Sequence, residues 1–258
     1  MPKRIFLPLF IICLCGCATL NVYNAATGQN EFIFINDATE IAIGKNVAQE
    51  VTQKQKLWYD GISEARIAAV GKRVAEVSDR TNMQYEFFVL DTDELNAMAL
   101  PGGIVYVNKG LVCKLNDDEM AFIIGHEIGH VAAKHAVKKV QLNLTYQLLL
   151  TVAFAFAGQK DQDTATTIAN ASNQIYNLIA LGYNRQDEYF ADKLGAKYAY
   201  KAGYDPYAGI TALEKIKRGE SENIKVLEYL RTHPYTDDRI KTLKELIPQL
   251  SSSYQAQQ

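Results

Sequence analysis

The sequence predicts an α+β fold, mainly helical, with a small sheet packed beside one central helix. Three observations predict it. A proline-free run from Asn116 to His135 is apolar through Met120–Ile124 and carries His-Glu-Ile-Gly-His at 126–130. One region, 85–108, is rich in aromatic and β-branched residues and holds Pro101-Gly102-Gly103, the composition of short strands joined by a tight turn. Most other segments repeat apolar residues at helical spacing. The 258 residues, 48% apolar with net charge −2, suffice for one sizeable core. Neither that charge nor any charged run suggests nucleic acid as a partner.

Residues 1–16 read as a secretory signal. Lys3 and Arg4 precede an apolar run, Ile5 to Leu14, interrupted by Pro8 and too short to span a bilayer. The following Leu14-Cys15-Gly16-Cys17 resembles a bacterial lipobox, which would make Cys17 a lipidated N-terminus holding the chain on a membrane. An ordinary signal peptide or an uncleaved anchor is the alternative. Ala18 after the cysteine leans toward the outer membrane under Gram-negative sorting rules. The expected location is the periplasmic side of a bacterial envelope. Cys13 and Cys15 leave with the signal and Cys17 is modified, so only Cys113 remains and no disulfide is expected. Cys113 lies in Gly-Leu-Val-Cys-Lys-Leu and reads as a small core residue.

Residues 17–36 read as a tether, with Phe32-Ile33-Phe34-Ile35 packing down where the domain, 37–250, begins. Helices are expected from Asp37 to about Leu57 and from Ser63 to Arg80, the latter with Ile67, Val70, Val74 and Val77 on one face. A strand over Tyr85–Leu90, a second before Pro101, a third over Ile104–Asn108 and a short helix over Lys109–Lys114 follow. Leu142–Ala157 is strongly apolar but short for a spanning helix. A core helix or a hairpin lid is preferred there, with a membrane-touching helix left open. A polar break at Gly158–Asp163 precedes a helix over Thr164–Leu181. Helices at about Pro206–Arg218, Asn223–Arg231 and Asp237–Leu246 close the domain, and 251–258 reads as a flexible tail.

The central helix carries the chemistry. Asn116 can cap it, with Glu119 reaching back, and Asp117 and Asp118 suit its positive end. On a continuous helix His130 lies about 40° around from His126 and one turn on, while Glu127 lies about 100° away. Both imidazoles can reach one metal ion, with Glu127 bordering it as a base for its water. The bland alternative is a buried helix with two satisfied histidines. Two of only four histidines fall at this spacing, in an apolar setting where unpaired polar groups are costly. A zinc site with two histidines lacks one protein ligand, and a carboxylate from a later helix is a common completion. Glu188 and Asp192, four apart in Arg185-Gln-Asp-Glu-Tyr-Phe-Ala-Asp, share a helix face and are candidates, or else ordinary surface acids. His135 lies about 180° from His126 on a continuous helix. Ala133 stands where a histidine-rich site would need a glycine turn. A third histidine ligand is therefore rejected there, and His135 is expected to be packed or solvated.

Asn96-Ala-Met-Ala-Leu-Pro-Gly-Gly, His126-Glu-Ile-Gly-His, Arg185-Gln-Asp-Glu-Tyr-Phe-Ala-Asp and His233-Pro-Tyr-Thr-Asp-Asp-Arg-Ile occur in this order. Together they resemble the HtpX/Oma/BepA-type zinc metallopeptidases, especially soluble lipoprotein members, from roughly Glu40 to Leu246. The resemblance implies a zincin-like domain holding one zinc per chain on His126, His130 and Glu188, with Glu127 as general base. It makes Asp192 the acid that orients a ligand histidine. It sets His233 and Arg239 beside the site, either meeting the oxyanion or, for His233, capping the metal in a latent enzyme. It makes Pro101, Gly102, Gly103, Ile104, Val105 and Tyr106 the substrate-binding edge strand. Met98 departs from the usual phenylalanine of the pattern. The implied activity is endopeptidase hydrolysis of misfolded or misassembled envelope proteins, within protein quality control. A latent protease working mainly as a chaperone or with envelope assembly machinery is the alternative.

Overall fold

The computed structural model describes residues 21–156, 171–221, 231–234 and 236–255. The signal segment, Cys17, the polar break after Ala157, the start of the helix expected from Thr164 and nearly all of that expected over Asn223–Arg231 lie outside the described residues.

The described residues begin with a hairpin inside the segment expected to be a tether. β1 (Asn21–Asn24) pairs antiparallel with β2 (Gln29–Phe32). The Asn24 side chain accepts the Ala26 N–H at 3.0 Å, a local turn bond that asparagine makes readily. Beyond β2 the side chains alternate as extended backbone requires. Ile33 and Ile35 pack on Val137 and Val140, while Phe32 and Phe34 face outward. The Gln141 carboxamide accepts the Phe34 and Ile35 N–H groups at 2.7 and 3.1 Å.

α1 (Asp37–Lys54) is capped by Asn36, and α2 (Gly61–Glu76) by Asp60. Ile67, Val70 and Val74 bury one stripe of α2, as their spacing of three and four predicts. β3 (Glu86–Leu90), β4 (Ala97–Ala99) and β5 (Ile104–Asn108) form a sheet in the order β3-β5-β4. β3 runs parallel to β5 and β4 antiparallel. Gly102 and Gly103 turn the chain at φ +81° and +93°. A Cβ on Gly102 would stand 2.7 Å from the Ile41 Cα of α1, so both conformation and space demand glycine. This corrects the expected substrate strand. Pro101, Gly102 and Gly103 are turn, and Ile104, Val105 and Tyr106 lie in the central strand, bonded on both sides. The edge strand is β4.

α3 (Lys109–Lys114) buries Leu111 and Val112. Cys113 is exposed rather than core, because the next helical position turns about 100° outward. α4 (Asp117–Ala132) has the expected capping box and is buried at every residue from Glu119 on. It does not continue to His135. Ala133 is its cap, Lys134 is left-handed at φ +56°, and α5 (His135–Phe156) starts in a new direction. The apolar run from Leu142 is therefore the later part of α5. Leu142, Leu144 and Tyr146, at its start, are exposed, so these three residues are not core. Among the described residues, no helix is long and apolar enough to cross a membrane. α6 (Ala171–Ala180), α7 (Arg185–Lys201), α8 (Ala208–Ser221) and α9 (Thr236–Gln255) complete the fold. α9 runs to Gln255, beyond the start of the expected tail.

α4 and α7 cross at their glycines. A Cβ on Gly195 would come 2.9 Å from the His126 backbone nitrogen, and one on Gly125 would come 3.0 Å from the Gly195 carbonyl. The bare crossing lets two backbones approach closely and brings the acids of α7 against the histidines of α4.

A buried ionic cluster fixes the far end of α4. Arg80 and Glu40 side chains are 7% and 1% exposed and joined at 2.7 Å. Arg80 also reaches Asp37 at 2.7 Å and the Val131 carbonyl at 3.2 Å. Lys134 bonds Glu40 and Asp37 at 2.9 and 2.8 Å, and Glu40 accepts the Gly102 N–H at 3.2 Å. Burial alone would raise the Glu40 and Asp37 carboxyls, but Arg80 and Lys134 hold both below their ordinary values of 4.5 and 3.8. Arg80→Met should lower the unfolding free energy by at most about 3–5 kcal/mol, because it leaves the buried Glu40 carboxylate with Lys134 as its one remaining counter-charge among the described residues. Urea unfolding against pH checks it. A carboxyl lowered by folding stabilises the native state above its unfolded value and loses that effect as pH falls through the folded one. The gap between wild type and Arg80→Met should thus be full where Glu40 is ionised in both proteins and shrink as pH falls, starting at the variant's Glu40 value, which loss of Arg80 raises above the wild-type one.

Candidate metal centre and active site

α4 presents His126 and His130 one turn apart, and their Nε2 atoms lie 3.0 Å from each other. Glu188, in the first turn of α7, places Oε1 3.4 Å from His130 Nε2 and Oε2 3.6 Å from His126 Nε2. His233 comes from the segment before α9, with Nδ1 3.3 Å from both His126 Nε2 and Glu188 Oε1. All four are buried and their donor atoms lie within 4.8 Å of one another.

Such a group would be unfavourable without a cation or protons at its centre, because imidazole lone pairs and a carboxylate converge there away from water. Three nitrogens and one oxygen at this spacing could hold a metal ion. The surrounding bonds fix the lone pairs inward. His126 Nδ1 is 2.9 Å from Asp192 Oδ1, so its proton belongs on that side. Arg239, fully buried, grips Asp192 through Nε at 2.8 Å and Nη2 at 2.7 Å. Its Nη1 lies 3.1 Å from Glu188 Oε2. Burial pushes the Asp192 and Glu188 carboxyls up, but Arg239 and the histidines hold both below the ordinary range, Glu188 well below. Burial lowers His126 and His130. It would lower His233 too, yet Glu188 and Glu127 leave that ring above its ordinary value.

Glu127 faces the other way, onto the sheet edge. Its Oε2 accepts the Ala99 N–H at 2.8 Å and its Oε1 lies 3.4 Å from His233 Nε2. His233 Nε2 is also 3.4 Å from the Ala97 carbonyl. A cleft of about 320 Å³ opens here, lined by Met98, Ala99, Glu127, Tyr176, Tyr183 and His233 among others. Tyr183 stacks on His130 at 4.0 Å and 19°. Its hydroxyl is buried with no hydrogen-bond partner, and burial and the nearby carboxylates push its ionisation up.

His126, His130, Glu188, Glu127, Asp192 and His233 thus converge as the sequence suggests. Arg239 lies beside the site as expected. Its guanidinium bonds Asp192 and Glu188, two buried carboxylates that need its charge, and it is not among the residues lining the cleft. The sequence marks Ala97–Ala99 as a strand within the Asn96–Gly103 motif but not as the sheet edge, and it marks neither Tyr183 nor the Arg80 cluster. Gly195, three residues after Asp192, is the signal it carries for the close helix crossing.

The sequence profile described as Peptidase family M48 matches residues 62–247. The chain belongs to this family. It is similar to the mitochondrial metalloendopeptidase OMA1 of Schizosaccharomyces pombe, 28% identical over 186 residues, covering 71% of this chain and 52% of that protein. It is similar to the beta-barrel assembly-enhancing protease of Yersinia pestis, 25% identical over 222 residues, covering 82% and 44%. It is 30% identical over 175 residues to the OMA1 metalloendopeptidase of Arabidopsis thaliana, covering 67% and 34%. The chain spans about half or less of the length of these relatives.

A ligand that binds only the native state stabilises it by about 2.7 kcal/mol at one hundred times its dissociation constant. Zinc added to metal-free protein should therefore raise the melting temperature. Glu188→Ala should lose the rise and the bound metal together; an unchanged metal content would remove Glu188 from the ligand set.

Proposed function

We propose that this chain is a zinc-dependent endopeptidase of a bacterial envelope, with protein substrates. The observation that carries the reading is the convergence of His126, His130 and Glu188, with the Glu127 carboxylate bridging from them to the β4 strand edge. A bound zinc would supply Lewis-acid activation of the scissile carbonyl and of water. Glu127 takes the proton of the attacking water and returns it to the leaving amine. The Ala97 carbonyl and Ala99 N–H face away from β5 toward His233 and Glu127; a peptide strand pairing there would take the Ala99 N–H from Glu127 and free that carboxylate for water. Asp192 and Arg239 hold the ligands in place, and His233 meets the developing negative charge.

A second reading is favoured by one observation: His233 Nδ1 lies among the other three donor atoms. In that reading His233 is a fourth ligand and the enzyme rests latent, working mainly as a chaperone or assembly factor. The beta-barrel assembly-enhancing name of several relatives supports an envelope setting with assembly machinery as a partner. Lipidation of Cys17 would hold the domain on the periplasmic face, at the outer membrane. Cys17→Ser should move the protein from the membrane to the soluble fraction of cells; retention on membranes would defeat that anchor.

Glu127→Gln should abolish chelator-sensitive casein cleavage while keeping one zinc per chain, and continued turnover would exclude Glu127 as base. His233→Ala separates the two readings. Cleavage that rises identifies a cap, and cleavage that falls with zinc retained identifies a catalytic role.

A further inference from the structure

His130 has a partner that the break after α4 creates. Its Nδ1 lies 2.8 Å from His135 Nδ1, and both rings are buried. Five residues on along an unbroken helix, His135 would lie about 140° around from His130. The left-handed Lys134 instead starts α5 so that His135 turns back. The Lys134 ammonium is bonded to Glu40 and Asp37 at 2.9 and 2.8 Å, so the Arg80 cluster holds the residue that makes the break.

At 2.8 Å one of the two Nδ1 atoms carries the proton and the other accepts it. His130 Nε2 faces His126 Nε2 at 3.0 Å and Glu188 Oε1 at 3.4 Å. With a cation among those donors, His130 must leave Nε2 bare and keep its proton on Nδ1. His135 then accepts on Nδ1 and keeps its own proton on Nε2, where Asp187 Oδ1 lies 3.6 Å away. The two ligand histidines are thus oriented differently. His126 donates to a carboxylate, Asp192, and His130 donates to a neutral ring backed by a carboxylate.

We propose that His135 is a positioning residue for the metal, fixing the ring angle and tautomer of His130 through an Nδ1-to-Nδ1 hydrogen bond. The inference rests on the metal reading above. Outer partners of ligand histidines typically change metal affinity 10–100-fold when lost.

The test measures zinc affinity of the full domain by competition with a chromophoric chelator, in wild type, His135→Leu and His135→Asn. The asparagine oxygen takes roughly the place of Nδ1 and can accept the His130 proton; leucine cannot. Affinity should fall about 10–100-fold in His135→Leu and recover most of that loss in His135→Asn. Equal affinity in all three proteins would overturn the inference, as would equal loss in both variants. Should His135→Leu not fold, nitrogen NMR of histidine-labelled, zinc-loaded wild type decides alone. His135 must show a bare Nδ1 and a protonated Nε2, and the opposite tautomer sinks the proposal. Wild type that takes up no zinc would fail the metal reading itself, and this inference with it.

Discussion

The constraint on which the structure depends is the close crossing of α4 and α7. Histidine and carboxylate side chains reach only a few ångströms toward a shared point, so two helices must approach almost backbone to backbone to supply one site. Gly125 and Gly195 make that possible, and side chains on either would meet the opposing chain. The same crossing accounts for the burial of Glu188 and Asp192. Acids at such a depth are tolerated only when paired, which is why Arg239 is fully buried against both.

Charge is handled beside α4 and beyond its last turn by separate clusters. At one face Arg239 balances Asp192 and Glu188. Beyond the last turn Arg80 and Lys134 balance Glu40 and Asp37. The second cluster touches no candidate ligand, yet it sets where α4 stops. It also ties α1 and the Gly102 turn to that stop, and the turn leads into β5, the strand that pairs with β4 behind the cleft.

Much of this was legible in the sequence because it is local. The capping box at Asn116 and Glu119, the spacing of His126 and His130, and the four-residue interval of Glu188 and Asp192 all depend on helix geometry alone. The hairpin at Asn21–Phe32 was not legible, since its four-residue strands are rich in asparagine and other polar residues, which are uncommon in strands. The break at Lys134 gave no signal either. Lysine has no preference for a left-handed backbone, and its conformation follows from ion pairs with residues nearly one hundred positions earlier. The edge strand was misplaced because β5 is richer in β-branched residues than β4, and composition cannot say which strand sits outside.

The candidate site is also drawn from distant parts of the chain, with His126 and His233 separated by 107 positions. Glu188 and Asp192 are made long before Arg239, which lies on the last described helix. Until that helix docks, a chain emerging from synthesis would carry two carboxylates with no counter-charge in the space they must share. The site's charge balance therefore waits on α9, and a chain shortened before that helix would leave Asp192 and Glu188 without the Arg239 guanidinium.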